Sequence, residues 1–387
     1  MRWWPLAVNL LALAPVALLA RSVRAGWRAR WCGVWFFALS SWVGQDYFSP
    51  QSFTYLLYLA FAAVLLMWFR PPGAPPAGVL PGEAAVAPTT PGRRTVLLCV
   101  VLALFVAAVP SHQLTPFVML GVVAVLVVVG RCALRGLPLL LAVMAVGWLC
   151  FFAEPYWSGH FDELFGGIGG LGANVTSSVA GRVEGGSATH QLVLYTRVGL
   201  AGLVMALACW GWWRRRDAGY RERALPVLVF VPAAGFALQA YGGEMALRVF
   251  LFALPGAALL AALAFFPCAG VSAEERAWDR VSLAPLAALL AGLVLAAGSW
   301  WPAGATTGSN GSGRARWPRW SGSTRTPSRR CACSGSARTP RRVSPRRCRG
   351  APGRWSGSTT YRPRPLATRS WPTPWPTPSA RRAPART

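Results

Sequence analysis

The chain has 387 residues, of which 54% are hydrophobic and only 13% are charged, and its apolar residues come in long blocks. Such blocks exclude an ordinary water-soluble globular domain, in which apolar and polar residues alternate over short distances. All 39 basic residues are arginine, and the formal net charge is +27. Twenty of these arginines lie from residue 280 onward, where no acidic residue occurs. The net charge of the whole chain therefore overstates the charge of the preceding part.

Apolar segments suited to membrane-spanning helices recur along residues 1–301. A hydrocarbon core of about 30 Å requires roughly 20 apolar residues in a helix, and fewer where polar ends reach the headgroups. About ten spans are predicted, at 3–20, 31–44, 52–69, 95–110, 117–130, 137–153, 191–213, 225–241, 246–267 and 282–301. The predicted fold is all-α, a polytopic transmembrane helix bundle.

Arginines are concentrated in alternate loops between these spans. Sixteen of them lie in one set of loops, at 21–30, 70–94, 131–136, 214–224 and 268–281. The other set has only Arg182 and consists of the loops 45–51, 111–116, 154–190 and 242–245. Cytoplasmic loops collect basic residues, so we expect a multi-pass protein of the cell membrane with the second set outside the cell. This orientation also puts residue 1 outside, and we therefore expect further spans upstream of it.

The segment 302–387 is built mainly from Arg, Pro, Ser, Thr, Trp, Gly and Ala, which predicts a disordered basic tail. Three interpretations stay open. A nucleic-acid-binding arm conflicts with the predicted external position, so no nucleic acid is expected as a partner. A basic tail could instead contact anionic polymers or lipid headgroups. We favour the third, a shifted reading frame, because GC-rich DNA read out of frame produces this vocabulary.

Titratable and amide side chains gather in the external loops. Asp46 lies in the first of these loops and Glu244 in the last, and both are candidate catalytic residues. His112 and Gln113, in "SHQLTP", are candidate substrate-binding residues. The alternatives are that Asp46 caps the helix at 52–69 and that His112 and Gln113 form a polar turn. The external loops also contain all three histidines of the chain, His112, His160 and His190.

Two arginines fall inside predicted spans, close to their external ends. Arg197 is six residues into 191–213, and Arg248 is two residues after the start of 246–267. A buried charge in a span costs about 2.5–3.5 kcal/mol, so it usually faces a partner or a water-filled cavity. Arg248 could pair with Glu244 on one helix face, and both arginines could snorkel. We also consider them candidate substrate-binding residues, because a guanidinium matches phosphate oxygens.

The long external loop offers one weak metal-binding pattern. His160, Asp162 and Glu163 could bind a divalent cation, but no second cluster of ligands accompanies them. We therefore expect no cofactor.

Three segments, "WFFALSSWVGQDYFSPQSFTYLLYLAF", "SHQLTPF" and "YGGEMALRVFLFALPG", resemble a group of large actinobacterial integral membrane proteins. That group is itself similar to lipid-phosphosugar-dependent glycosyltransferases of the many-helix, C-type fold. The resemblance covers roughly residues 1 to 300. It implies a polyprenyl-phosphate sugar donor, transfer on the outer side of the membrane, and a catalytic carboxylate in a first external loop. That loop would precede residue 1, so no position of this chain inherits the role, and the chain could be an inactive fragment.

An inverting sugar transfer needs a base for the acceptor hydroxyl and positive charge that stabilises the departing phosphate. Asp46 or Glu244 would serve the hydroxyl groups, and Arg197 and Arg248 would hold the lipid phosphate. Two other classes stay open: a transporter or flippase for a lipid-linked or small solute, and a non-catalytic membrane protein. Transport would be marked by charges at mid-membrane and by internal repeats, and the sequence shows neither convincingly. The pattern makes no prediction of oligomeric state.

Overall fold

A computed structural model describes residues 3–42, 49–71, 81–158, 169–170, 172–173, 188–237, 245–268 and 283–309. The chain divides into two compact units, Met1–Trp317 and Pro318–Thr387, and every described residue belongs to the first. Several residues singled out above lie outside the described part: Asp46, His160, Asp162, Glu163, Glu244 and the tail from residue 310 onward.

The described residues are helical, in agreement with the predicted all-α fold. In chain order the helices are α1 Trp4–Arg21, α2 Trp27–Ser40, α3 Pro50–Trp68, α4 Pro91–Ser111, α5 Thr115–Val128, α6 Leu137–Phe151, α7 Glu154–Trp157, α8 Ala188–Asp217, α9 Ala224–Phe230, α10 Met245–Phe265 and α11 Ala284–Ser309. A 3-10 helix, Val231–Ala237, continues α9. Each predicted span thus contains a helix, and α11 continues beyond residue 301, where the helical domain was predicted to end.

Five of these helices are long and apolar enough to cross a membrane: Trp4–Arg21, Pro50–Trp68, Pro91–Ser111, Gln191–Asp217 and Met245–Phe265. Shorter apolar helices occupy Thr115–Val128, Leu137–Phe151, Ala224–Phe236 and Ala284–Ser299. Large apolar side chains are exposed along the outer helices, for example Leu139, Val143, Leu286 and Leu293. A water-soluble monomer rarely exposes so much apolar surface. These helices therefore fit an integral membrane protein that contacts lipid.

Helix α10 lies at the centre of the bundle, and small residues allow its neighbours to approach closely. A Cβ atom on Gly211 of α8 would lie 2.8 Å from the backbone nitrogen of Ala264 in α10. A Cβ atom on Gly33 of α2 would lie 3.2 Å from the Cα atom of Leu259. Close backbone contact of this kind is typical of helix packing in membranes, where van der Waals contacts replace the hydrophobic effect.

Helices α3, α5 and α10 run between two polar ends of the bundle. At one end, Glu83 lies in a buried ion-pair cluster, which we define as Arg70, Glu83, Arg131, Arg215 and Glu222. The Oε2 atom of Glu83 accepts hydrogen bonds from Nη1 of Arg131 at 2.7 Å and of Arg70 at 3.4 Å. Its Oε1 atom accepts from the backbone N–H of Arg223 at 3.4 Å. The cluster therefore joins three of the arginine-rich loops, and its carboxylate is only 4% exposed.

Arg215 connects this cluster to the loop 21–30 and to the residues that directly follow α10. It is completely buried and forms an ion pair with Glu222. Its Nη2 atom donates to the carbonyl oxygen of Arg24 at 3.1 Å, and its Nη1 atom donates to the carbonyl oxygen of Pro267. The described parts of four loops that the arginine count assigned to the cell interior, at 21–30, 70–94, 131–136 and 214–224, thus meet at one end of the bundle.

Candidate functional site

A cleft of about 500 Å³ lies at the opposite end, where the external loops were predicted. The first turns of α3, α5 and α10 and the last turns of α4 and α6 surround it. Its polar lining consists of Ser49, Gln51, Ser111, His112, Gln113 and Arg248. Its apolar wall includes Phe117, Trp148, Leu149 and Trp157. The volume and the mixed lining are typical of a site for a small molecule or headgroup.

One edge of the cleft is the start of α3, where the sequence "SPQS" supplies a serine cap followed by proline. The side chain of Ser49 accepts a hydrogen bond from the backbone N–H of Ser52 at 3.3 Å, and Pro50 occupies the first helical position. Ser49 is therefore the cap of this helix, the alternative role considered for Asp46.

Gln51 is a cleft residue that sequence reasoning missed. It is only 5% exposed, and among the described residues its Nε2 atom has no hydrogen-bond partner. A buried amide group without a hydrogen-bond partner costs free energy. We therefore expect a ligand or a water molecule to accept a hydrogen bond from Gln51. The available signal was a glutamine in the first turn of an otherwise apolar helix.

His112 ends α4 and is fixed by the first residue of α5. Its Nδ1 atom lies 2.9 Å from the Thr115 hydroxyl and accepts the Thr115 backbone N–H at 3.3 Å. Because Nδ1 accepts an N–H, we assign the ring proton to Nε2. Burial, together with the positive charge of Arg248, lowers the pKa of His112 to about 4. The ring is therefore neutral at pH 7 and can donate through Nε2.

Arg248 supplies the fixed charge of the cleft. It lies in the first turn of α10 and is only 7% exposed. Three helix N-termini and two C-termini meet here, so the helix dipoles leave a net charge of only about +0.5. Among the described residues that line the cleft, the guanidinium is therefore the main positive charge. The structure brings together three of the predicted substrate-binding residues, His112, Gln113 and Arg248.

Arg197, the fourth predicted substrate-binding residue, lies elsewhere. Its guanidinium carbon is 5.9 Å from the ring centroid of Trp42, and it is not among the residues that line the cleft. Trp42 in turn stacks on Phe250 at 5.4 Å. Arg197 is thus linked through Trp42 to Phe250 of α10, which lies on a different face of that helix from Arg248. Trp148 and Trp157, which do line the cleft, were not singled out from the sequence.

Comparison of the chain with protein-family models, curated proteins and solved structures gave no match. Within the described part of the chain, no group of three or more His, Cys, Asp or Glu residues could hold a metal ion. The predicted cation ligands, His160, Asp162 and Glu163, lie outside that part. The site is therefore interpreted from its own chemistry.

Proposed function

We propose that the protein is a glycosyltransferase-like integral membrane protein that binds a polyprenyl-phosphate sugar donor in this cleft, on the outer side of the cell membrane. The observation that carries the proposal is the position of Arg248, a nearly buried guanidinium in the wall of an open cleft beside the neutral ring of His112. A guanidinium stabilises the charge that develops on a departing phosphate, and it does so more strongly away from bulk water.

The remaining lining suits a sugar linked to a lipid. The amide groups of Gln51 and Gln113 and the Nε2–H of His112 can exchange hydrogen bonds with sugar hydroxyl groups. The rings of Trp148 and Trp157 offer apolar faces to the sugar ring or the prenyl chain.

The acceptor hydroxyl would need a carboxylate base, and we propose Asp46 or Glu244 for this role. Asp46 precedes the cleft residue Ser49 by three positions, so chain length alone keeps it within about 11 Å of Ser49. Glu244 directly precedes α10 and lies four positions before Arg248. Arg197 would act indirectly, by supporting Trp42 beside α10.

A second candidate function is transport of a lipid-linked solute, and a broken helix favours it. Helix α9 changes to a 3-10 helix at Val231–Ala237, because Pro232 lacks the N–H that would continue the α-helix. Discontinuous helices are common at transporter binding sites.

Binding of a fluorescent short-chain prenyl phosphate to the purified chain tests the donor site. We expect Arg248→Gln to weaken this binding about 10- to 100-fold, because one charged hydrogen-bonding partner is worth about 1.5–3 kcal/mol. The same variant should leave binding of the prenyl alcohol of equal length unchanged. Arg135→Gln, at the other end of the bundle, is the matched control. Equal affinity of the wild type and Arg248→Gln for the prenyl phosphate would contradict the proposal.

Proteoliposomes that contain labelled polyprenyl-phosphate sugars separate the two functions. A transferase moves the label from the lipid to an acceptor, and Asp46→Asn or Glu244→Gln should abolish that step while prenyl-phosphate binding persists. A flippase instead carries the intact labelled lipid between the leaflets.

A further inference from the structure

A second cleft, of about 490 Å³, lies beside the buried ion-pair cluster. One side carries three arginines: Arg216 at the end of α8, and Arg221 and Arg223 in the loop that follows. The other side is apolar and is formed by the ends of α5 and α9, with Val125, Val129 and Phe230 among its residues. A set of arginines next to an apolar wall matches the two parts of a phospholipid, its charged headgroup and its acyl chains.

A ring contact positions the guanidinium group of Arg216, and backbone hydrogen bonds fix the loop that carries Arg221 and Arg223. Arg216 lies over the ring of Trp212, with 5.0 Å between its guanidinium carbon and the ring centroid. The backbone N–H of Arg221 donates to the carbonyl oxygen of Pro81 at 2.6 Å, and that of Arg223 donates to Glu83. These bonds fix the loop while the side chains of Arg221 and Arg223 remain exposed.

Among the described residues that line this cleft, the arginines outnumber the single acid, Glu222. Glu222 also lines it, but its carboxylate is only 4% exposed and forms an ion pair with Arg215, which is completely buried. The charge of Glu222 is therefore already compensated by a residue outside the cleft. The three exposed arginines are left to attract an anion.

We propose that this cleft binds one anionic phospholipid from the leaflet at the arginine-rich end of the bundle. Arg216, Arg221 and Arg223 contact its phosphate, and an acyl chain lies along Val125, Val129 and Phe230. Basic pockets between helices bind anionic lipid headgroups at cytoplasmic membrane surfaces, and each arginine near such a surface adds appreciable attraction. A free phosphate would satisfy the arginines but would leave the apolar wall in contact with water, so the lining favours the lipid.

The test uses the full chain in mixed micelles that contain dioleoyl phosphatidylglycerol or dioleoyl phosphatidylcholine, with retained lipid counted by native mass spectrometry. We expect phosphatidylglycerol to be retained preferentially and each single Arg→Gln substitution at positions 216, 221 and 223 to weaken retention about fivefold. The triple variant should lose about 100-fold if the effects add. Arg135→Gln is the control, because Arg135 belongs to the same end but does not line the cleft.

A triple Arg→Lys variant guards against loss of folding, since it keeps the charges and should retain most of the binding. Phe230→Ser should weaken retention of phosphatidylglycerol without altering binding of inorganic phosphate. Equal retention of the two lipids, or unchanged retention in the triple Arg→Gln variant, would overturn the proposal. Full displacement of phosphatidylglycerol by inorganic phosphate at micromolar concentration would also overturn it, because the apolar side of the cleft would then contribute nothing to the binding affinity.

Discussion

Substitution of Glu83 by glutamine tests whether the buried ion-pair cluster holds the bundle together. Glutamine keeps the shape and one acceptor oxygen but removes the negative charge that lies 2.7 Å from Arg131 and 3.4 Å from Arg70. Both guanidinium groups then remain in a site where their side chains are at most 7% exposed. Removing one partner of a buried pair costs about 3–5 kcal/mol, because the other charge stays desolvated. We expect Glu83→Gln to lower the free energy of unfolding by about that amount.

The measurement is reversible unfolding in a mild detergent, followed by the fluorescence of the 20 tryptophans. Asp217→Asn is the matched control, since Asp217 is an exposed acid at the same end, and it should change the free energy of unfolding by less than about 0.5 kcal/mol. The double variant Glu83→Gln with Arg131→Gln should lose less than the sum of the two single variants, because the two side chains interact directly. A loss below about 1 kcal/mol for Glu83→Gln would refute the reasoning.

Two further predictions concern the opposite end and the centre of the bundle. The pKa of His112 lies near 4 in the folded protein, below its ordinary value of about 6.5, so the unfolded chain binds more protons between these values. Stability should therefore be fully present above pH 6.5 and fall as the pH drops towards 4, and His112→Gln should reduce this dependence in unfolding measurements at several pH values. Gly211→Leu should prevent close packing of α8 on α10, and we expect it to abolish the cooperative thermal transition, whereas Gly199→Leu, with open space around the glycine, should not.

The helices could be read from the sequence because they depend on local properties. Apolar length predicted a helix within each expected span, whereas the short helix α7 lies in a segment expected to be a loop and Ser49 rather than Asp46 caps α3. Length alone counts about ten spans, whereas five of the described helices meet the stricter combination of length and hydropathy. Helix α2, for example, has only 14 residues and is too short for that combination.

The composition of the two polar ends could not be read in the same way. Arg248 and His112 belong to parts of the chain that are far apart in sequence, and only the tertiary packing of the bundle brings them to one cleft. In the sequence, Glu83 is a single acidic residue in an arginine-rich loop. In the structure, its carboxylate contacts residues of three loops. Arg197 has the same apparent signal as Arg248, an arginine near the external end of a span, but it lies against Trp42.

The described buried arginines therefore serve different purposes that sequence position does not separate. Arg70, Arg131 and Arg215 each form an ion pair with a carboxylate that is itself buried. Their charges are therefore neutralised in contacts that join loops. Arg248 is as deeply buried, but its surroundings include an open cleft and a histidine whose low pKa keeps it neutral. A second positive charge beside Arg248 would oppose burial of both, so a neutral His112 is what allows the guanidinium to stay there. That arrangement places one positive charge where an anion can reach it, unlike the charges of the three arginines in the ion-pair cluster.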